Sequence, residues 1–293
     1  MSINAASGTV WFVGAGPGDP ELITVKGRAL VEQAGAILFA GSLVSEAALR
    51  WASADCIILD SKDMTLEQMS AWLIAQAARC RTVVRLQTGD PSLYGALIEL
   101  VQPLDAAGVP IQVVPGVSSA MASAAAAVES LTLPEVTQTI IFTRVEGRTP
   151  MPEGESLEEL AGHHSTLCIF LSITLMGRVT AALLAAGWSP DAPVVVVHKA
   201  SWPDEQKIVR GTVATIQALC REAKIVSQSM IIASPTLGAR YWQTLAKSKL
   251  YDASFTHRFR RASSISKGDA LPFSPYTPPD TLCDTPPNNE EIV

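Results

Sequence analysis

GAGPGDPELITVKG, residues 14–27, follows directly on the apolar run TVWFVG, residues 9–14, and this junction decides the fold. A short run that is apolar at nearly every position, without polar alternation, fits a strand covered on both faces, as in parallel sheets. The glycines that follow stand where the chain leaves the sheet. There they admit positive φ and leave no Cβ between the backbone and a ligand. In open α/β sheets the crevice at the carboxyl ends of the strands is where ligands bind.

Working outward, the same alternation continues to about Val114. AILFAG, CIILD, TVVRL and IQVV read as further strands, with helices at KGRALVEQA, TLEQMSAWLIAQAARC and SLYGALIELVQPLDAAG. The expectation is a doubly wound N-terminal α/β domain over residues 1–120. PGVSSAMASAAAAVESLTLPE is helix material that runs into a Pro-bounded turn. Beyond it TIIFTR, TLCIFL, PVVVVHKAS, KIVRGTV and SMIIAS read as strands, with helices at MGRVTAALLAAGW and TIQALCREA. They form a second α/β domain over residues 121–243. Residues 244–293 are rich in Ser, Thr and Pro and lack periodic apolar positions, so a disordered or extended tail is expected. The basic patch HRFRRASSISK within it reads as solvated, an acidic partner being the alternative.

A chain of 293 residues with 48% hydrophobic content can bury a sizeable core and is long enough for two domains. The formal net charge of -6 argues against nucleic-acid binding, which needs a clustered basic face. Cys56, Cys80, Cys168, Cys220 and Cys283 form no CxxC pair and read as reduced thiols in a cytoplasmic protein. His163, His164, His198 and His257 show no ligand spacing, and no protein-bound metal is expected. No secretory leader and no apolar stretch of membrane-spanning length is evident.

Two more Gly/Pro bends follow strands: GDPSLYG, residues 89–95, and PGVSS, residues 115–119. Taken singly, each has a plain reading as a tight turn, and Ser118 and Ser119 as helix caps. A dinucleotide fingerprint is the rival for the first bend, but Pro17 and the Gly18-Asp19-Pro20 turn interrupt the helix it requires. The second strand also lacks the acidic residue that would grip a ribose. Three such bends from one sheet line a single crevice, which favours one shared ligand site.

Together GAGPGDPELIT, GDPSLYG and PGVSS resemble the ordered motifs of the tetrapyrrole methylases, which use S-adenosylmethionine, across residues 9 to about 240. TRVEGRTPMPEGE, residues 143–155, and ASWPDE, residues 200–205, are similar to the second-domain signatures of the subgroup that methylates C-11 of precorrin-4. The resemblance implies a first domain with a parallel sheet, a second with a mixed sheet, and a ligand cleft between them. It also implies a homodimer, an S-adenosylmethionine cofactor folded in the cleft, and a precorrin substrate converted to precorrin-5. Alternatives are methylation of another precorrin carbon or of uroporphyrinogen III, or a module that binds without catalysis. By motif, the cofactor contacts would be Pro17, Thr88, Gly89, Asp90, Leu93, Ser118, Ser119, Ser172 and Ala200, with Met common in the family at the place of Ser172.

Methyl transfer from a sulfonium to carbon needs in-line positioning and no protein nucleophile. Asp19 and Asp90 are the candidate catalytic residues, able to orient or stabilise a cationic macrocycle; turn bonding is their alternative role. Tyr94 and Trp202 are candidates to offer flat apolar faces to the macrocycle, a place in the core being the alternative for either. Lys26, Arg144, Arg148 and Lys199 are candidate partners for substrate carboxylates.

Overall fold

The computed structural model describes residues 8–262 except 42, 45, 246 and 247. Two compact units divide at Leu245 and Ala246. The first unit holds two five-stranded sheets.

The first sheet comprises β1 (Thr9–Gly14), β2 (Ala36–Phe39), β3 (Ile57–Asp60), β4 (Thr82–Gln87) and β5 (Ile111–Val114). All pairings are parallel, in the order β3-β2-β4-β1-β5. Helix α1 (Val25–Gln33) packs Leu30 and Val31 with Val13, Ile37, Val84 and Leu86. Helices α2 (Leu66–Ala77) and α3 (Leu97–Ala106) set Leu73, Leu100 and Leu104 against Val10, Phe12, Leu38 and Val83 on the other face. Successive β1 residues thus serve opposite cores, which is why the strand is apolar throughout. Strands β4, β1 and β5 are adjacent and parallel, so the bends leaving them are neighbours at the carboxyl end of the sheet.

Helix α4 (Ser119–Ala127), capped by Ser118, runs from the third bend to the second half. The second sheet comprises β6 (Ile140–Arg144), β7 (Thr166–Phe170), β8 (Pro193–His198), β9 (Lys207–Thr212) and β10 (Ser229–Ala233), in the order β6-β7-β10-β8-β9. It is mixed: β6 and β7 are parallel, whereas β10 is antiparallel to both β7 and β8. Ala120, Ala124 and Ala127 of α4 pack against Val195, Val197 and Ile232, small side chains letting the helix lie close to the sheet. Helices α5 (Leu157–Ala161), α6 (Met176–Ala185) and α7 (Ile216–Glu222) cover the opposite face through Leu157, Val179, Leu183 and Ile216. The end of α4 is clamped by Glu129, a buried carboxylate that accepts from Arg210 and from the Gly238 amide, while Arg210 also donates to the Ala127 carbonyl.

Two details differ from expectation. Helix α3 starts at Leu97 and not near Ser92, because Tyr94 and Ala96 take left-handed conformations, φ 55° and 50°. The short α5, held by a Ser156–Glu159 capping box, was not anticipated. In the second unit, residues 248–262, within the stretch read as a disordered or extended tail, carry local structure. The Arg260 guanidinium donates to the Leu250 and Tyr251 carbonyls at 2.9 and 3.4 Å, and His257 bridges to Arg260. The segment PFSPYTPPDTLCDTPPNNEEIV with Cys283 lies outside the described residues.

Candidate functional site

The three bends of the first sheet touch backbone to backbone. The Gly89 amide donates to the Gly16 carbonyl at 2.8 Å, and Ala15 N to Gln87 O at 2.7 Å. A Cβ on Gly116 would lie 2.0 Å from the Gly89 oxygen, and one on Gly14 only 2.5 Å from the same atom. Glycine at 14 and 116 is therefore demanded by contact, whereas Gly89 is needed for its φ of +60°.

Asp90 fastens this junction. One carboxylate oxygen accepts from the Ser92 amide at 2.9 Å and from the Ser92 hydroxyl; the other accepts from Gly116 N at 2.9 Å, across to the third bend. Partial burial pushes its pKa up, but the bonds from Ser92 and Gly116 together outweigh this and hold it below the usual carboxylate range. Asp90 is thus anionic at neutral pH.

Facing the bends are elements of the second sheet, and between the two halves lies a cavity of about 190 Å³. From the first half it is lined by Pro17, Leu43, Thr88, Gly89, Asp90, Leu93 and Tyr94, and from the link between halves by Ser118, Ser119 and Ser123. From the second half come Phe170, Leu171 and Ile173 after β7, Val197, Lys199, Ala200 and Trp202 around the end of β8, and Gln228, Ser229 and Met230 at the start of β10. The Phe170 ring stands 5.2 Å from Tyr94, which shares the lining with it, and 5.7 Å from Phe142 behind it, forming a short aromatic ladder. Burial raises the Tyr94 pKa, with Arg144 acting against that and Glu155 with it, so both charges bear on the phenol.

A profile of the Tetrapyrrole (Corrin/Porphyrin) Methylases matches residues 9–217, a span that contains all three bends and the facing segments after β7 and β8. The chain belongs to the tetrapyrrole methylase family. It is 47% identical over 252 residues to the cobalt-precorrin-4 C(11)-methyltransferase of Priestia megaterium, covering 86% of this chain and 97% of that protein. Among solved structures, a cobalt precorrin-4 methyltransferase described as a cobalamin biosynthetic enzyme matches with a TM-score of 0.75 at 47% identity, over 77% of this chain and 94% of that one. The uroporphyrin-III C-methyl transferase of Thermus thermophilus, complexed with S-adenosyl homocysteine, matches with a TM-score of 0.66 at 28% identity, over 80% and 100%.

Within this methylase fold, eight of the nine residues expected at the cofactor line the cavity: Pro17, Thr88, Gly89, Asp90, Leu93, Ser118, Ser119 and Ala200. Ser172 does not. Its buried hydroxyl donates to Phe170 O at 2.6 Å and accepts from Val145 N at 2.9 Å, which uses it inside the fold. Of the residues expected at the substrate, Tyr94, Lys199 and Trp202 line the cavity, and Lys199 is paired with Glu205. Arg144 instead donates to the Thr149 and Pro150 carbonyls and shapes the loop carrying the exposed Arg148. Lys26 lies over the Trp11 ring at 5.1 Å. Asp19 caps a short 3-10 helix by accepting from Glu21 N at 2.8 Å, and it is not in the lining.

Phe170, Leu171, Ser123, Gln228, Ser229 and Met230 were missed as lining residues. Phe170 and Leu171 end a strand, as the recognised bends do, but without a glycine to draw attention. Ser229 and Met230 begin a strand, and only the reversed direction of β10 brings that start beside the end of β8, where Ser229 pairs with His198.

Proposed function

We propose that this chain transfers a methyl group from S-adenosylmethionine to ring carbon C-11 of a precorrin-4 macrocycle, giving a precorrin-5 product, in corrin biosynthesis. The observation that carries this reading is one cavity walled by three fused bends of the first sheet and three segments of the second, in a chain 47% identical to a cobalt-precorrin-4 C(11)-methyltransferase.

The residues present suit the cofactor. Ser123 has a fully buried hydroxyl with no partner among the described residues, and it lines the cavity, where a ligand atom would satisfy it. Among the described residues, Asp90 is the one carboxylate in the lining, and the one cationic side chain there, Lys199, is paired with Glu205. A sulfonium therefore meets a favourable field. When bound, the cofactor supplies an electrophilic methyl group on a good leaving group. Thr88, Gly89, Asp90, Leu93, Ser118 and Ser119 would hold it from the first half and the third bend, Ala200 from the second, with Pro17 at the edge.

The chain's own contribution is orientation. A geometry fixed by backbone contact lines up the donor and a carbon nucleophile, worth roughly 7–11 kcal/mol where the approach is well held. Tyr94 and Phe170, tilted 50° to each other, offer aromatic surface for a conjugated ring, and Arg144 and Arg148 are the candidate partners for its carboxylates. We further propose the boundaries 1–120, 121–243 and 244–293 for two domains and a tail, a homodimer, and a cytoplasmic setting. Among the described residues no helix is long and apolar enough to cross a membrane.

The test is incubation with S-adenosylmethionine and precorrin-4, with and without cobalt. A product heavier by one methylene, with the new methyl assigned to C-11 by NMR, is expected. Binding of the pigment with no mass change would leave a binding module, and methylation at another carbon would overturn the regiochemistry.

A further inference from the structure

The loop that follows β8, residues 199–206, reaches across the cavity and grips the bend after β1. The Trp202 indole Nε1 donates to the Pro17 carbonyl at 3.0 Å, and the Asp19 amide donates to the Ser201 hydroxyl at 3.0 Å. Gly18 lies flat against the indole: a Cβ there would fall 2.1 Å from Trp202 Cδ1. Pro17, Lys199, Ala200 and Trp202 all line the cavity, so this grip spans its edge.

The loop is built to hold that pose. Lys199, Ser201 and Asp204 take left-handed conformations with φ of 46°, 68° and 62°. Non-glycine residues persist there only when surrounding bonds over-determine them. The bonds are present. Trp202 N donates to Lys199 O at 2.9 Å, Ser201 N to Gln206 Oε1 at 2.7 Å, and the Lys199 ammonium lies 4.7 Å above the indole while paired with Glu205. The ring thus touches both the Lys199 ammonium and the Gly18 backbone.

We propose that Trp202 is a positioning residue, an indole latch that fastens the first bend to the second half and sets how fast the cofactor leaves the cavity. This goes beyond the role of a flat face for the macrocycle, and it rests on the reading of the cavity as the S-adenosylmethionine site. The latch explains both Gly18 and the strained loop by one contact. Opening requires one indole hydrogen bond and one amide–hydroxyl bond to break together.

The experiment uses the full chain and S-adenosylhomocysteine as the probe. Trp202→Phe keeps a ring but loses the N–H, and dissociation of the probe, followed by displacement with excess S-adenosylmethionine, is expected to quicken about tenfold. Gly18→Ala, which drives a methyl into the indole, should quicken release similarly in the natural chain yet add nothing in a Trp202→Ala background. Hydrogen exchange in the cofactor-free protein gives an independent readout: Ser201→Ala should speed exchange at the Asp19 amide without changing exchange in β4. Release from Trp202→Phe at the natural rate, or a Gly18→Ala effect of equal size in both backgrounds, overturns the latch while leaving the proposed function standing. A natural chain that takes up no probe overturns both.

Discussion

The two halves build their sides of the cavity by different means. In the first, three parallel strands end at one edge, and the bends that leave them fuse through backbone contact at Gly14, Gly89 and Gly116. In the second, two strand ends and one strand start meet because β10 runs against its neighbours, and the wall is made of side chains. Leu171, Lys199 and Gln228 there take left-handed conformations without being glycine. The first half is thus a cradle with no room for a side chain at Gly14 or Gly116, whereas the second is a shaped wall that can vary with the substrate.

If that contrast holds, the largest effect should come from the cradle. Gly116→Ala places a methyl 2.0 Å from a backbone oxygen that cannot rotate away. A loss of about 3 kcal/mol in stability is expected, together with loss of S-adenosylhomocysteine binding, measured by denaturant unfolding and calorimetry. A variant that melts and binds like the natural chain would break the comparison.

Asp90→Asn comes next. It removes the charge and one arm of the link from the second bend to the third, and turnover should fall about a hundredfold through misplacement of the reacting groups. The pH dependence follows from the sign of the shift. The folded pKa of Asp90 is lowered, so its contribution to stability is complete above the ordinary carboxylate pKa of 3.8 and is lost as pH falls through the lower folded value. Melting curves taken downward from about pH 7 should begin to lose this contribution only below the ordinary carboxylate pKa in the natural chain, and Asp90→Asn should lack that part of the slope.

On the wall, Phe170→Leu breaks the ladder to Tyr94 and Phe142 while leaving the bends untouched. The KM for the macrocycle should rise about tenfold, the worth of aromatic contact, with little change in affinity for S-adenosylhomocysteine. An equal loss of both would show that cradle and wall are not separable.

The smallest expected effect is at Ser123. Removing a buried hydroxyl that has no partner should leave the free protein as stable or slightly more so, while weakening S-adenosylhomocysteine binding a few-fold. Thermal melts with and without the probe read both signs in one experiment.

Much of this contrast could be read before any coordinates. The parallel sheet was legible because TVWFVG and its fellows are apolar on both faces, and the cradle because Gly/Pro bends follow those strands. The strands of the second half were visible as well, but the direction of β10 was not, since an apolar run carries no mark of its orientation. That is why Ser229 and Met230 were overlooked. The start of α3 is not legible, because the left-handed conformations fall at Tyr94 and Ala96, residue types that do not signal a turn. Ser172 was drawn to the cofactor by its motif position, although its hydroxyl is used to join two loops of the second half. Trp202 was noticed for its ring, whereas its N–H defines its contact with Pro17.

Hydrogen exchange by mass spectrometry, with and without S-adenosylhomocysteine, tests most directly whether cradle and wall enclose one ligand. Slowed exchange on probe addition is expected in peptides spanning residues 88–93 and 115–119 and, at the same probe concentration, in those spanning 197–202 and 228–230. Protection confined to one half, or to surfaces away from all four segments, would contradict the account.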